Sequence, residues 1–237
     1  MTSNTIHASY QSIWDKYNSS TFKHILDRGF VFQFDEDETE CELLFIGINP
    51  AYDQQDSERK DSEKYTSYTR PHETANKHLP YFKSFVNISN ELREDYNWKG
   101  KWTHLDVFAF RETNQKFIET DLLRKDNTEG IAFLYDQLML AKERILHIQP
   151  KVIVVSNALA RMFMGKQRFE DPQGKEYGVW MGFRFEFDKN MGTDVITEPD
   201  ELKGTHVFFT SMLSGQRALD NGSKERLTWH VAKVLNA

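Results

Sequence analysis

Four short apolar runs punctuate the chain: Leu43–Ile48 (LLFIGI), Leu105–Phe110 (LDVFAF), Val152–Val155 (VIVV) and His206–Thr210 (HVFFT). Polar residues hardly alternate within them, which is the pattern of strands covered on both faces in a parallel sheet. Helical spacing fills the intervals. Tyr81–Tyr96 sets Phe82, Phe85, Leu92 and Tyr96 on one stripe, and Thr128–Ile148 does the same with Ile131, Leu134, Leu138, Ile145 and Ile148 before Pro150 stops it. Ser156 and Asn157 are fit to cap a short helix reaching Phe163. A last helix, opened by Asn221 or Ser223, buries Leu227, Val231 and Val234.

The alternation of strand and helix predicts an α/β fold, a three-layer α/β/α sandwich around a central, mainly parallel four-stranded sheet. Val179–Phe187 alternates and adds an antiparallel strand or hairpin. Residues 1–237 read as a single domain with a helical extension over about 1–30 and a long polar loop over about 53–78. That loop follows the first strand directly. Ligands of open α/β sheets bind beyond the carboxyl ends of the strands, where it begins.

Composition narrows the function classes. With 39% hydrophobic and 14% aromatic residues the chain has material for a sizeable core. One cysteine, Cys41, excludes a disulfide framework, a cysteine-rich zinc site and a four-cysteine iron–sulfur cluster; next to a buried strand it reads as a small core residue. No apolar run reaches the ~20 residues of a membrane span, and the polar start is unlike a signal peptide, so the expected compartment is the cytoplasm. The histidines lack zinc-site spacing, although His72 and His78 share the long loop; neither a metal nor a cofactor is expected. A net charge of −6 argues against a protein that coats nucleic acid by charge alone. The charge is uneven, however: residues 1–141 hold 16 bases and 24 acids, and residues 142–237 hold 14 and 12.

Two segments carry candidate chemistry. Gly47-Ile48-Asn49-Pro50-Ala51 closes the first strand; glycine admits close approach of a ligand, and Pro50 fixes the turn from which Asn49 projects. Phe209-Thr210-Ser211-Met212-Leu213-Ser214-Gly215-Gln216-Arg217 closes the last, placing Leu213 among hydroxyls on an expected exposed loop.

Together these segments resemble the uracil-DNA glycosylase superfamily over roughly residues 40–235. Its first motif, read GINPG in the thymine/mismatch branch, appears here as GINPA. Its second, His/Asn-Pro-Ser-Pro/Gly-Leu-Ser, is matched by Ser211, Leu213 and Ser214. Asp106–Arg111 looks like the family's middle strand, where an Asn reads the base. Gln149–Ser156 is similar to the strand before its third helix.

The resemblance implies base flipping and hydrolysis of an N-glycosidic bond in DNA. Asn49 would position the attacking water, with Gly47, Ile48, Pro50, Ala51, Phe82, Asp106, Thr210 and Ser211 binding the substrate. Leu213 would be the wedge, and Ser214 and Arg217 would hold the backbone. Tyr81 and Tyr52 compete with Phe82 as the aromatic stacking on the base. Three departures stand out. Phe209 replaces the His or Asn that stabilises the departing base. Asp106 replaces an Asn, and an ionised carboxylate only accepts hydrogen bonds. Ala51 is small where uracil-selective members carry a tyrosine. A member of this fold without catalysis, binding nucleic acid, a nucleotide or a protein, is the alternative.

Overall fold

The computed structural model describes residues 1–52, 65–68, 80–215 and 218–237. In chain order its helices are α1 (Ser3–Tyr17), α2 (Lys23–Leu26), α3 (Lys83–Glu94), α4 (Thr128–Ile148), α5 (Ala158–Phe163) and α6 (Asn221–Leu235). Its strands are β1 (Phe30–Gln33), β2 (Cys41–Gly47), β3 (Tyr65–Tyr68), β4 (Lys101–Asp106), β5 (Val152–Val155), β6 (Phe169–Glu170), β7 (Glu176–Tyr177), β8 (Arg184–Asp188), β9 (Thr193–Glu198) and β10 (His206–Phe209). The protein is thus α/β. Among the described residues, no helix is long and apolar enough to cross a membrane.

Two compact units emerge, each assembled from three separate stretches of chain. One comprises Met1–Glu36, Ile48–Thr69 and Leu105–His147; the other Asp37–Gly47, Arg70–His104 and Ile148–Ala237.

The first unit is organised by aromatic rings. Phe133, on α4, lies 4.8 Å from Phe22, 5.3 Å from Tyr17, 5.6 Å from Phe110 and 6.4 Å from Phe30, centroid to centroid. All five are buried. Each such side chain contributes roughly 1.5–3 kcal/mol of hydrophobic stabilisation, so this cluster is the unit's main cohesive element. Beside it, β1 pairs in parallel with β3. The α1 helix starts from Thr2, whose hydroxyl accepts from the Thr5 amide, and α4 stops at a left-handed Gln149 (φ 51°) followed by Pro150.

The second unit carries almost all of a six-stranded, mainly parallel sheet of order β4-β2-β5-β10-β9-β8. At its centre β5 pairs in parallel with both neighbours: Leu43–Ile46 and His206–Phe209 both align with Val152–Val155. The VIVV strand is fully buried, which explains its unbroken apolar sequence. Beyond it, Asn157 caps α5 by accepting from the Leu159 and Ala160 amides, and Asp220 caps α6 through the Ser223 amide. At the other end of the strands Glu42 accepts from Trp98 Nε1 (2.9 Å) and from Lys151 Nζ (2.5 Å).

Two strand expectations need correction. The sheet has six strands, not four, because an antiparallel hairpin, β8–β9, extends it past β10; the alternating Val179–Phe187 pattern is strand only from Arg184 onward. The second strand spans Lys101–Asp106 rather than Leu105–Phe110. Thr103 and His104 are fully buried within it, so polar letters hid its first half. The apolar Val107–Phe110 leaves the sheet instead: Val31 N donates to Ala109 O (2.8 Å), and Phe110 bridges Phe30.

Candidate active site

The motif residue Asn49 belongs to the first unit. Ile48 O accepts from Phe108 N (3.0 Å), and Pro50 O from Glu112 N (3.0 Å). Tyr52 N donates to Thr113 Oγ1 (3.0 Å), whose hydroxyl returns a bond to Tyr52 O (2.6 Å). Residues 48–52 are therefore laced to 108–113. Within this frame Asn49 Nδ2 donates to Glu112 O (2.6 Å) and to Pro50 O (2.9 Å). A flipped amide would set its oxygen against two carbonyl oxygens, so the orientation is fixed by chemistry. The consequence is that Oδ1 faces the other way. It is buried, and it has no hydrogen-bond partner among the described residues. A buried acceptor left in that state costs free energy unless water or substrate satisfies it.

Asp106 stands at the end of β4 in the same unit and is partly exposed. Burial of its carboxyl group pushes its pKa up to about 8. A pKa raised in this way favours the protonated acid over the charged acceptor expected from the sequence, and the acid offers one donor and one acceptor, as an asparagine does.

Glu112 contributes more than its carbonyl. Its carboxylate binds Arg28 Nη1 (2.6 Å) and accepts from Asn114 N (2.7 Å). The Arg28 guanidinium sits 4.5 Å from the centroid of Tyr52, and Arg111 sits 5.3 Å from the same ring. Tyr52 is partly exposed, Ala51 exposed, Pro50 partly exposed, and Gly47 and Ile48 buried.

The remaining site candidates belong to the second unit. Thr210 N donates to Val155 O (2.9 Å). Ser211 is exposed, and Thr210 and Ser214 are partly exposed. Leu213 is not on an exposed loop: only 1% of it is accessible. Two bonds fasten its segment, from Ser84 Oγ to Leu213 O (2.6 Å) and from Leu219 N to Met212 O (2.9 Å). Gly215 takes a left-handed conformation (φ 82°) that closes the turn. Arg217 lies outside the described residues, as do His72 and His78. Phe82 is core rather than a stacking surface: it is buried and lies edge-on to His104 (5.1 Å) and near Phe85 (5.8 Å). Tyr81 beside it is 38% exposed.

Phe209 stands where the resemblance places a hydrogen-bond donor. Its ring meets Phe185 edge-on at 5.3 Å, with Arg161 and Lys166 at 5.6 and 5.8 Å from its centroid. Cations thus accompany the phenyl ring, although the ring itself donates nothing.

No protein-family model matches this sequence, and no curated protein matches it.

Sequence reasoning missed Arg28, Glu112 and Thr113. Glu112 acts partly through a main-chain carbonyl, which leaves no mark on side-chain identity. Arg111 was legible only as the residue after an apolar run.

Proposed function

We propose that the protein is a DNA glycosylase-like hydrolase of the uracil-DNA glycosylase type, a three-layer α/β/α member acting on a flipped, damaged or mismatched base. The reading rests on one observation. Asn49 has its amide nitrogen engaged by the Glu112 and Pro50 carbonyls and its buried Oδ1 without a partner. In this chemistry Oδ1 accepts a hydrogen bond from a water and orients the water's lone pair toward the anomeric carbon of the extruded nucleotide. The glycosidic bond breaks as the water oxygen bonds to that carbon; the base leaves with the bonding pair, and the proton that the water gives up passes through solvent to the departing base anion. An amide is a poor proton acceptor, so Asn49 orients water without ionising it, and turnover is slow.

Protonated Asp106 supplies a donor and an acceptor for a base edge, which restores the recognition that an ionised carboxylate would forfeit. Tyr52 is the partly exposed aromatic nearest to Asn49 in sequence and takes the stacking role in place of Phe82. On the second unit Ser211 and Ser214 are the backbone-contact candidates. Leu213 serves as a wedge only if the Ser84 and Leu219 bonds open.

The test is incubation with oligonucleotides carrying uracil, hypoxanthine, xanthine or mismatched thymine, followed by alkaline cleavage of abasic sites. Strand breakage by the parent protein that is lost in Asn49→Ala supports the proposal. Absence of breakage on every substrate ends it. Phe209 and the buried Leu213 favour a second reading, a member of the fold that binds DNA without cleaving it. Salt-sensitive binding without breakage would support that reading.

A further inference from the structure

A cleft of about 470 Å³ opens within the second unit, between the ends of β8, β9 and β10 and one face of α6. Its size falls in the range of small-molecule sites. Two guanidinium groups line it, Arg161 and Arg226, and both residues are exposed. Neither has a carboxylate partner among the described residues, whereas Arg28, Arg124, Arg168 and Arg184 are all engaged in ion pairs. The carboxylate that lines the cleft, Asp194, is bound by Lys166 (2.6 Å), so it offers an anion little repulsion. Aromatic rings complete the wall: besides buried Phe208 and the His230 imidazole, the accessible ones are Phe187, 61% exposed, and Phe209, partly exposed and braced by Phe185. Thr210, also partly exposed, adds a hydroxyl.

Free guanidinium groups beside exposed aromatic rings suit one class of ligand. Guanidinium pairs with phosphate through parallel charge-assisted bonds, and an exposed phenyl ring offers its face to a planar heterocycle. We propose that this cleft binds a phosphate monoester carrying a planar ring, of nucleoside-monophosphate size. Arg161 and Arg226 hold the phosphate, and Phe187 and Phe209 pack against the ring. The site uses neither Asn49 nor Asp106 and does not depend on the glycosidase reading.

Isothermal titration of the full chain with AMP, adenosine and inorganic phosphate tests this. AMP should bind at least about tenfold more tightly than either fragment, because phosphate and ring contacts act together. Arg161→Ala and Arg226→Ala should each weaken AMP by roughly tenfold and leave adenosine unaffected. Phe187→Ala should weaken AMP and adenosine alike. These side chains are solvent-exposed, so the variants fold. Asn49→Ala should bind AMP as the parent does, which separates this site from the hydrolase proposal. A 5′-phosphorylated oligonucleotide that binds more tightly than AMP and is equally sensitive to Arg161→Ala identifies the ligand as a strand end; weaker binding identifies a free nucleotide. No AMP binding at millimolar concentration, phosphate binding as tightly as AMP, or arginine variants indistinguishable from the parent would each overturn the proposal.

Discussion

The side-chain nitrogen of Asn49 lies 2.6 Å from the carbonyl oxygen of Glu112, a residue 63 positions later in the chain. Together with the bond to Pro50 O, this contact decides which end of the amide is left without a partner. It also ties the first motif to the segment that follows β4.

Asn49→Ala removes both bonds and leaves Glu112 O without that donor. We expect a loss of about 1–2 kcal/mol in stability, measured by urea denaturation, together with loss of any base excision. A variant that is destabilised yet excises base at the parental rate would remove Asn49 from the chemistry.

The raised pKa of Asp106 predicts a pH dependence of stability. Its folded-state pKa, about 8, lies above the unfolded value of 3.8. The folded state therefore holds a proton that the unfolded state releases. The contribution is full below pH 4 and is lost as pH rises through 8, by up to ~1.4 kcal/mol per pH unit between those limits. Asp106→Asn should flatten this slope. Base binding by the parent should fall above pH 8, and binding by the asparagine variant should not. A parent whose stability is level from pH 5 to 8 would contradict the assignment.

Leu213→Ala separates core from wedge. Burial at 1% exposure predicts a stability loss of about 2–5 kcal/mol. A freely exposed wedge would instead leave the denaturation midpoint unchanged and lower only DNA affinity.

Gly100 allows the Glu42–Trp98 contact to exist. A Cβ there would lie 2.3 Å from Glu42 Oε2 and 2.6 Å from Trp98 Nε1. Gly100→Ala should displace both groups and cost roughly 1–3 kcal/mol. Tryptophan fluorescence would shift if the indole loses its carboxylate. An unshifted spectrum with parental stability would count against this packing.

Much of the fold was legible because its signals are local. VIVV is buried on both faces and reads so; α4 is periodic and ends at Ile148, ahead of Pro150; Asn157 caps α5 as its position suggested. The second strand was misplaced because Thr103 and His104 are polar residues in a buried strand, a tertiary fact that no alternation rule encodes. The candidate site could be named from its letters, but not its states. GINPA marked Asn49, yet the direction of its amide depends on a distant main-chain carbonyl. Asp106 could be named, but its protonation follows from burial that only the folded chain creates. Leu213 looked exposed because hydroxyls surround it in sequence, whereas Ser84 and Leu219 pin its segment down.

If Asn49 holds a water as proposed, the two carbonyls that orient it also limit how far such catalysis could be accelerated. Under that proposal, the simplest improvement would be to replace the amide with a carboxylate that takes the proton. At position 49 that change would aim a negatively charged oxygen at the lone pairs of Glu112 O and Pro50 O. The repulsion would favour the protonated acid and cancel the intended base. A faster descendant of this protein would first have to turn the residue 112 peptide away, so the route to speed runs through the backbone rather than through the motif.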